Sequence, residues 1–439
     1  MARLLLIVLF LCNCILSADL KALIKQVEES ALISISVKRI DGRPIFEHHS
    51  RRPMIPASNL KLISSAAILK TFGPAHRIET TFYWNGTELI IKGAGDPALS
   101  DRFYDQKFHI FHNLLKALKK QGIDKIHQLS ADNALFADHT LPPDWETADK
   151  VYYYAPSLSP LSYNDNCIDL TTDGKSVSWF PFNTSYVTIV NRQTQGTRYK
   201  EHILKDGNTF TLYSAIPENV KKTESLAISQ PAAYTLHVLR QFLNRQGISC
   251  GDTTVYNTKV DYSGFTPLFS HHSPPMKTLL KVVTCNSNNF FAEMLTRLAA
   301  GQNSQHHSSY ALSLKFLNDY LVKAGLPRQQ LTDSCGLSRT NRLSADFLTA
   351  FLISQHKDKP YKSILAESGT TPSLHVLDKQ LTGRVKAKTG SMSGVYTLSG
   401  YLDDSITFSI LINQSPATRT KLSQTAAAIL SEITEWQYN

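Results

Sequence analysis

The sequence predicts an α+β protein with a β-rich insertion, and three observations predict it. Both ends of the chain combine helical stretches with short strand pairs. The middle, from about Thr80 to about Val260, is mostly short strand-like runs between Gly, Pro, Asn and Asp turns. The 439 residues, 42% of them hydrophobic, suffice for a sizeable core spread over two or three domains.

The elements follow in chain order. Arg3 precedes an unbroken apolar run from Leu4 to Leu11, extended to Leu16 with one interruption at Asn13. Small Ser17 and Ala18 come next, and Asp19 begins polar sequence. This reads as a secretory signal cleaved near residues 17–18, so the mature chain is expected to be exported to the periplasm. The run is short for a bilayer span, and no later segment is long and apolar enough for one. Cys12 and Cys14 leave with the signal; bulky Leu11 and polar Asn13 before them are poor lipidation contexts.

Asp19 to Ser30 reads as a short amphipathic helix. Leu32 to Val37 alternates apolar residues with serine, Asp41-Gly42 turns, and Pro44 to His48 returns. Leu60 to Leu69 places apolar residues on several sides, which predicts a largely buried helix. In the middle, strands are expected at Glu88 to Lys92, Val177 to Phe180, Tyr186 to Val190 and Thr209 to Tyr213. A single helical stretch, Phe108 to Gly122, interrupts them. Helices return at Pro275 to Thr284, Phe290 to Ala300, Tyr310 to Ala324 and Ala345 to Ile353. Gly394 to Leu402 and Ile406 to Asn413 read as adjacent strands joined at Asp403-Asp404, and Thr418 to Glu435 as a closing helix. No internal repeat is present.

Composition excludes several classes. Charged residues make up 19% and no stretch is low in complexity, which argues against disorder. The net charge of +10 is scattered, as in Arg51-Arg52, Lys119-Lys120 and Lys221-Lys222, with no basic stripe interleaved with aromatics. Nucleic acid is therefore not an expected partner, whereas a mild positive field suits an anionic polymer. Cys167, Cys250, Cys285 and Cys335 could form two bridges in any of three pairings, or remain buried thiols. Their wide spacing is no metal signature. His48-His49, His271-His272 and His306-His307 are adjacent pairs, whose rings point apart on a helix or strand. No H-E-x-x-H or P-loop occurs, and Gly93-Ala94-Gly95-Asp96 lacks the third glycine of a dinucleotide turn. No metal or cofactor is expected.

Three strings carry chemistry: Ser58-Asn59-Leu60-Lys61, Ser287-Asn288-Asn289 and Lys388-Thr389-Gly390, that is S-x-x-K, S-x-N and K-T-G in order. Serine needs a base to become a nucleophile. Residues three apart share a helix face, so Lys61 is expected beside the Ser58 hydroxyl, where burial disfavours its charged form. Ser287 can relay a proton to a leaving amine, and Asn289 can donate to a substrate carbonyl. Lys388 and Thr389 suit a carboxylate. Gly390 fits the start of an edge strand that a substrate backbone approaches closely. The backbone N–H groups of Ser58 and Ser391 are the expected oxyanion donors. Decoys exist: Ser354-Gln355-His356-Lys357 lies in a polar stretch and Ser162-Tyr163-Asn164 in an Asn- and Asp-rich turn. Order and context favour the first set.

With these motifs the chain resembles the D-alanyl-D-alanine carboxypeptidase/endopeptidase family, the type-C low-molecular-mass, penicillin-binding protein 4-like proteins. Gly93-Ala-Gly-Asp-Pro-Ala-Leu99, Asp149 to Pro156 with Asn164 to Asn166, Asp333-Ser-Cys-Gly-Leu-Ser-Arg339 and Gly400-Tyr401 are similar to further strings of that family. The long gap from Ser58 to Ser287 fits an insertion between the first two motifs; a β-lactamase would have a far shorter one. The resemblance implies a serine transpeptidase/β-lactamase-like catalytic domain, helices around an antiparallel sheet, in residues 19–78 and 262–439. Inserted domain II would comprise 79–97 and 155–261, and inserted domain III 98–154.

It also implies an exported serine D-Ala-D-Ala carboxypeptidase/endopeptidase acting on peptidoglycan stem peptides and crosslinks, with β-lactams as covalent inhibitors. Ser58 would be the acylated nucleophile, Lys61 its base, and Ser287 and Asn289 the second wall. Lys388, Thr389 and Ser391 would bind the terminal carboxylate. Asp149, Tyr153 and Arg339 match positions near the family's side-chain pocket. Spacing around Asp149 is one residue short, and Ser334 and Cys335 replace a glycine and a serine. The other readings are a catalytically weak wall-binding scaffold and a β-lactamase. The sequence leaves oligomeric state and loose membrane association open.

Overall fold

The computed structural model describes residues 20–138, 141–182, 185–302, 308–377 and 379–438. The expected signal segment, with Arg3, Cys12 and Cys14, lies outside the described residues, as does His306-His307. The chain divides into two compact units. One draws on Met1–Pro74, Leu280–Asn288 and Leu314–Asn439, the other on Ala75–Leu279 and Asn289–Ser313.

The first unit is built on a six-stranded antiparallel sheet. Its order is Ala366–Glu367, Val385–Met392, Val395–Leu402, Ile406–Asn413, Leu32–Arg39 and Pro44–His48. Every residue of Val395–Leu402 and Ile406–Asn413 is buried, so these central strands are covered on both faces. One face is apolar. Ile33, Ile35 and Val37 pair with Ile412, Ile410 and Phe408. Against them pack Leu20 and Ile24 of the helix at residues 20–28, and Leu422, Ile429 and Ile433 of the helix Arg419–Tyr438.

The opposite face is polar although buried. Because side chains alternate along a strand, the register that aligns the apolar residues also aligns Ser36, Ser409, Ser399 and Lys388 in one row across four strands. Gly390 pairs with Thr397 in a parallel row. Buried hydroxyls need partners, and they have them. Ser36 Oγ is 2.9 Å from Thr349 Oγ1 of the helix Ala345–Gln355, and Ser399 Oγ is 2.8 Å from Ser409 Oγ. Asp403 and Asp404 both adopt left-handed conformations, as a two-residue hairpin turn requires.

The second unit centres on a mixed five-stranded sheet in the order Ser249–Tyr256, Lys125–Asp132, Glu88–Lys92, Glu79–Trp84 and Thr266–His272. Two three-stranded sheets and a two-stranded ladder supply the β-rich remainder. The expected helix is present as His109–Lys120. A second helix, Pro231–Arg245, was not expected; it packs Leu236, Leu239 and Phe242 into the shared core. Pro231 at its first turn, where the missing N–H costs nothing, is the signal that marked its start.

Two sequence expectations are resolved locally. None of the four described cysteines is joined in a disulfide. His48 and His49 do not point apart: His49 is left-handed (φ 45°), which breaks the strand alternation. Both Nε2 atoms approach Glu28 Oε1, at 2.8 and 3.2 Å. Among the described residues no helix is long and apolar enough to cross a membrane.

Candidate active site

The turn bearing Ser58 is a short 3₁₀ helix, Ala57–Leu60, that runs directly into the α-helix Lys61–Phe72. That helix is buried nearly all round, from Lys61 to Leu69, as its apolar residues on several sides predict. Lys61 is fully buried, and its Nζ lies 2.8 Å from Ser58 Oγ. It also donates to the Cys335 carbonyl at 2.6 Å.

That carbonyl is held by a loop folded around Asp333. Its carboxylate accepts from the backbone N–H groups of Gly336 (2.7 Å) and Ser338 (2.6 Å) and from the Asn341 amide (2.8 Å). Gly336 has φ +85°, and a Cβ there would overlap the Ala57 carbonyl. The loop therefore presses main chain to main chain against the Ser58 turn. Cys335 meets Lys61 through its carbonyl, so the exchange of serine for cysteine leaves this contact intact.

The third motif lies in the middle of the strand Val385–Met392, not at its start. The neighbouring strand Ala366–Glu367 pairs only with Ala387 and Lys386. Residues 388–392 thus have no strand partner on their outer side among the described residues. Lys388 is fully buried; its Nζ donates to Ser287 Oγ at 2.9 Å and to the Thr389 carbonyl at 2.6 Å. Burial, and then the nearby Lys61, hold its pKa well below the ordinary lysine value. A Cβ on Gly390 would overlap the Thr397 hydroxyl and stand 2.8 Å from Ser58 N. Thr389 and Ser391 are half-buried on the same strand.

Ser287 follows the helix Met276–Cys285 and is left-handed (φ 59°). Ser58, Lys61, Ser287 and Lys388 are thus tied by hydrogen bonds in two pairs within the first unit. Asn59 fastens the pairs together. It is fully buried, and its Oδ1 faces Ser399 Oγ at 2.6 Å while its Nδ2 donates to the Lys388 carbonyl (2.8 Å) and Thr397 Oγ1 (3.1 Å). The opposite amide orientation would set its oxygen against a carbonyl. Thr397 Oγ1 in turn donates to the Pro56 carbonyl at 3.0 Å.

The remaining expected residues lie as follows. Arg339, also in the first unit, donates to the Ser393 carbonyl at 3.1 Å. Asn289, Asp149 and Tyr153 belong to the second unit. Asn289 opens the helix Asn289–Gly301 and donates to the Tyr154 carbonyl at 2.8 Å. Asp149 accepts from the Tyr154 hydroxyl at 3.1 Å, and Tyr153 is 51% exposed. The decoys are structural. Ser162 donates to the Ser159 carbonyl, Asn164 to the Cys167 carbonyl, and Ser354 and Lys357 are exposed. Sequence reasoning missed Asn59, Asp333, Gly336 and Thr397 as parts of the site. The only available signal was that three of them fall inside or beside quoted strings.

The chain is similar to known proteins in sequence and in fold. The chain is 26% identical over 442 residues to "Penicillin-sensitive carboxypeptidase A" of Dictyostelium discoideum, covering 86% of this chain and 81% of the relative. The crystal structure of penicillin binding protein 4 from Haemophilus influenzae matches with a TM-score of 0.82 at 22% identity, covering 94% of this chain and 99% of that one. The same protein complexed with a β-lactam matches at 0.76, with 22% identity and the same coverage. The fold is that of penicillin binding protein 4: helices against an antiparallel sheet, with added β-rich structure. The model of the D-Ala-D-Ala carboxypeptidase 3 (S13) family matches residues 16–433, and the chain belongs to that family.

Proposed function

We propose that the protein is an exported serine D-Ala-D-Ala carboxypeptidase and endopeptidase that cleaves peptidoglycan stem peptides and crosslinks through an acyl-enzyme on Ser58. The observation that carries this reading is the contact between Ser58 Oγ and the buried Lys61 Nζ at 2.8 Å. With Lys61 neutral, the same contact runs from hydroxyl to amine, and Lys61 takes the proton as Oγ attacks the penultimate D-Ala carbonyl. The oxyanion that forms is taken by the N–H groups of Ser58 and Ser391.

The substrate enters extended along the open edge of residues 388–392, and its terminal carboxylate meets Lys388 and Thr389. Ser287 Oγ accepts from Lys388 Nζ, which leaves its own proton free for the departing amine. Bond cleavage frees D-Ala, or the amine of a crosslink, and leaves the acyl group on Ser58. Lys61 returns the proton it took to Ser287, restoring the hydroxyl that protonated the amine; neutral again, it takes a proton from the water that attacks the ester, and that proton passes to Ser58 Oγ as its bond to the acyl group breaks. A β-lactam would enter the same sequence and stop at the ester. Asn289, Asp149, Tyr153 and Arg339 are proposed to contact the substrate beyond the scissile bond.

The test is mass spectrometry after incubation with penicillin, alongside digestion of crosslinked muropeptides. One adduct on Ser58, lost with all activity in Ser58→Ala, is the expected result. An adduct that survives Ser58→Ala would sink the assignment, and rapid penicillin turnover would favour a β-lactamase instead.

A further inference from the structure

Away from the serine site, Glu28, His48 and His49 bring three ligand atoms within 4.8 Å of one another. Each comes from a different local conformation. Glu28 ends the helix at residues 20–28, His48 ends the strand Pro44–His48, and His49 is the left-handed residue after it. That single left-handed residue turns the second imidazole back toward the first; the ring centroids are 4.3 Å apart. The arrangement is held from behind, because the His49 carbonyl accepts from Ser34 Oγ (3.0 Å) and from the Arg52 N–H (2.9 Å). Neither bond involves the imidazoles, whose Nε2 atoms both face Glu28 Oε1.

We propose that Glu28, His48 and His49 form a binding site for a borderline divalent transition metal of the zinc class. The donor set is two imidazoles and one carboxylate, which suits zinc and its neighbours and not calcium or magnesium, whose ligands are oxygen. Ligand bonds of about 2.0–2.2 Å in a tetrahedron set donor atoms about 3.3 Å apart. Glu28 Oε1 stands 2.8 Å from His48 Nε2 and 3.2 Å from His49 Nε2, close to that spacing, and all three donor atoms lie within 4.8 Å of one another. The side chains are 35%, 27% and 45% exposed in the order Glu28, His48, His49, which leaves the fourth position to water and gives the ion a way in. Zinc needs both Nε2 lone pairs, so each ring carries its proton on Nδ1 in the bound state.

The bound ion would clip the helix at residues 20–28 to the segment that continues from His49 toward Ser58. It would stabilise the first unit without touching the reaction. The test uses the mature chain stripped with chelator and titrated with zinc chloride by calorimetry, with cobalt(II) absorption as a readout of geometry. One equivalent is expected to bind with a tetrahedral cobalt spectrum, and zinc is expected to raise the melting temperature. His48→Ala, His49→Ala and Glu28→Gln should each weaken binding by about tenfold or more and abolish the thermal shift. All three should still react with fluorescent penicillin at Ser58, which shows that they fold. Wild-type protein that does not saturate below millimolar zinc would overturn the site. So would a His48→Ala/His49→Ala variant that binds as tightly as wild type.

Discussion

Gly390→Ala should uncouple folding from catalysis in a way set by three neighbouring atoms. Gly390 has no positive φ, so alanine imposes no backbone strain and every effect arises from the added methyl. That methyl would overlap Thr397 Oγ1 and stand 2.8 Å from Ser58 N and 3.0 Å from Ala57 Cβ. Comfortable contact needs about 3.5 Å, so the strand and the Ser58 turn must part by roughly 0.7 Å. Thr397 cannot simply swing away, because its hydroxyl donates to the Pro56 carbonyl and accepts from Asn59. Overpacking of this kind costs about 1–3 kcal/mol of stability. A displacement approaching 1 Å at reacting groups costs about 100-fold in rate. Acylation by a fluorescent penicillin, followed by stopped flow, should therefore fall by about 10- to 100-fold while the protein remains folded at 25 °C. Adding Thr397→Ala removes the worst overlap and should restore part of the melting temperature, but the contact with Ser58 N remains and acylation stays slow. Wild-type acylation by Gly390→Ala, or full kinetic recovery in the double variant, would refute the close-approach reasoning.

Other outcomes follow from the same geometry. Asn59→Ala should lower stability by about 1–3 kcal/mol, since it strips the amide's hydrogen bond from the Lys388 carbonyl and removes its contacts with Thr397 and Ser399, and should slow acylation more than it weakens initial β-lactam binding. Lys388 has a depressed pKa when free, and a bound carboxylate would raise it. Between the depressed value and the ordinary 10.5, binding should take up one proton, so KM for carboxylate-terminated peptides rises with pH; calorimetry in buffers of different ionisation enthalpy counts that proton. Asp96 is fully buried, and burial pushes its pKa up to about 7, with Oδ2 lacking a hydrogen-bond partner. The folded state keeps its proton above the unfolded value of 3.8, so stability present below that pH is lost as pH rises through 7. Asp96→Asn should flatten this, gaining up to a few kcal/mol on wild type at pH 8 and little at pH 4, read by denaturant melts. Among the four described cysteines, half-buried Cys285 should react with a thiol reagent first. Burial raises the Cys250 thiol to about 11 and the Cys167 thiol well above its ordinary value, and Cys335 is wholly buried.

The catalytic framework was legible where a local rule decided the structure. Ser58 and Lys61 are three apart, so any helical turn brings them together. The strands Gly394 to Leu402 and Ile406 to Asn413 were readable as two runs on either side of a two-aspartate turn. What stayed hidden depends on register between distant segments. The row Ser36, Ser409, Ser399 and Lys388 joins residues hundreds of positions apart, and no single strand announces it. Asn59 looked like a spacer inside S-x-x-K, yet its value comes from three acceptors and donors on two distant strands. His48 and His49 were misread because alternation was assumed, and one left-handed residue cancels it. The helix Pro231–Arg245 was absorbed into a region judged by its turns, although Pro231 and its spaced leucines were present.

The strand Ala366–Glu367 stops short of Lys388, and this has a consequence for selectivity. A strand edge without a strand partner pairs with an extended chain through main-chain groups, and such pairing is blind to side chains. Discrimination must then fall on how a guest ends and on the handedness of its last residues, not on its sequence. The same blindness exposes the molecule to competition: a loop or tail of another protein able to lie flat along residues 388–392 would occlude the serine without imitating a D-amino acid. Inhibitors that add a strand would owe nothing to the lactam ring and would be untouched by enzymes that destroy it.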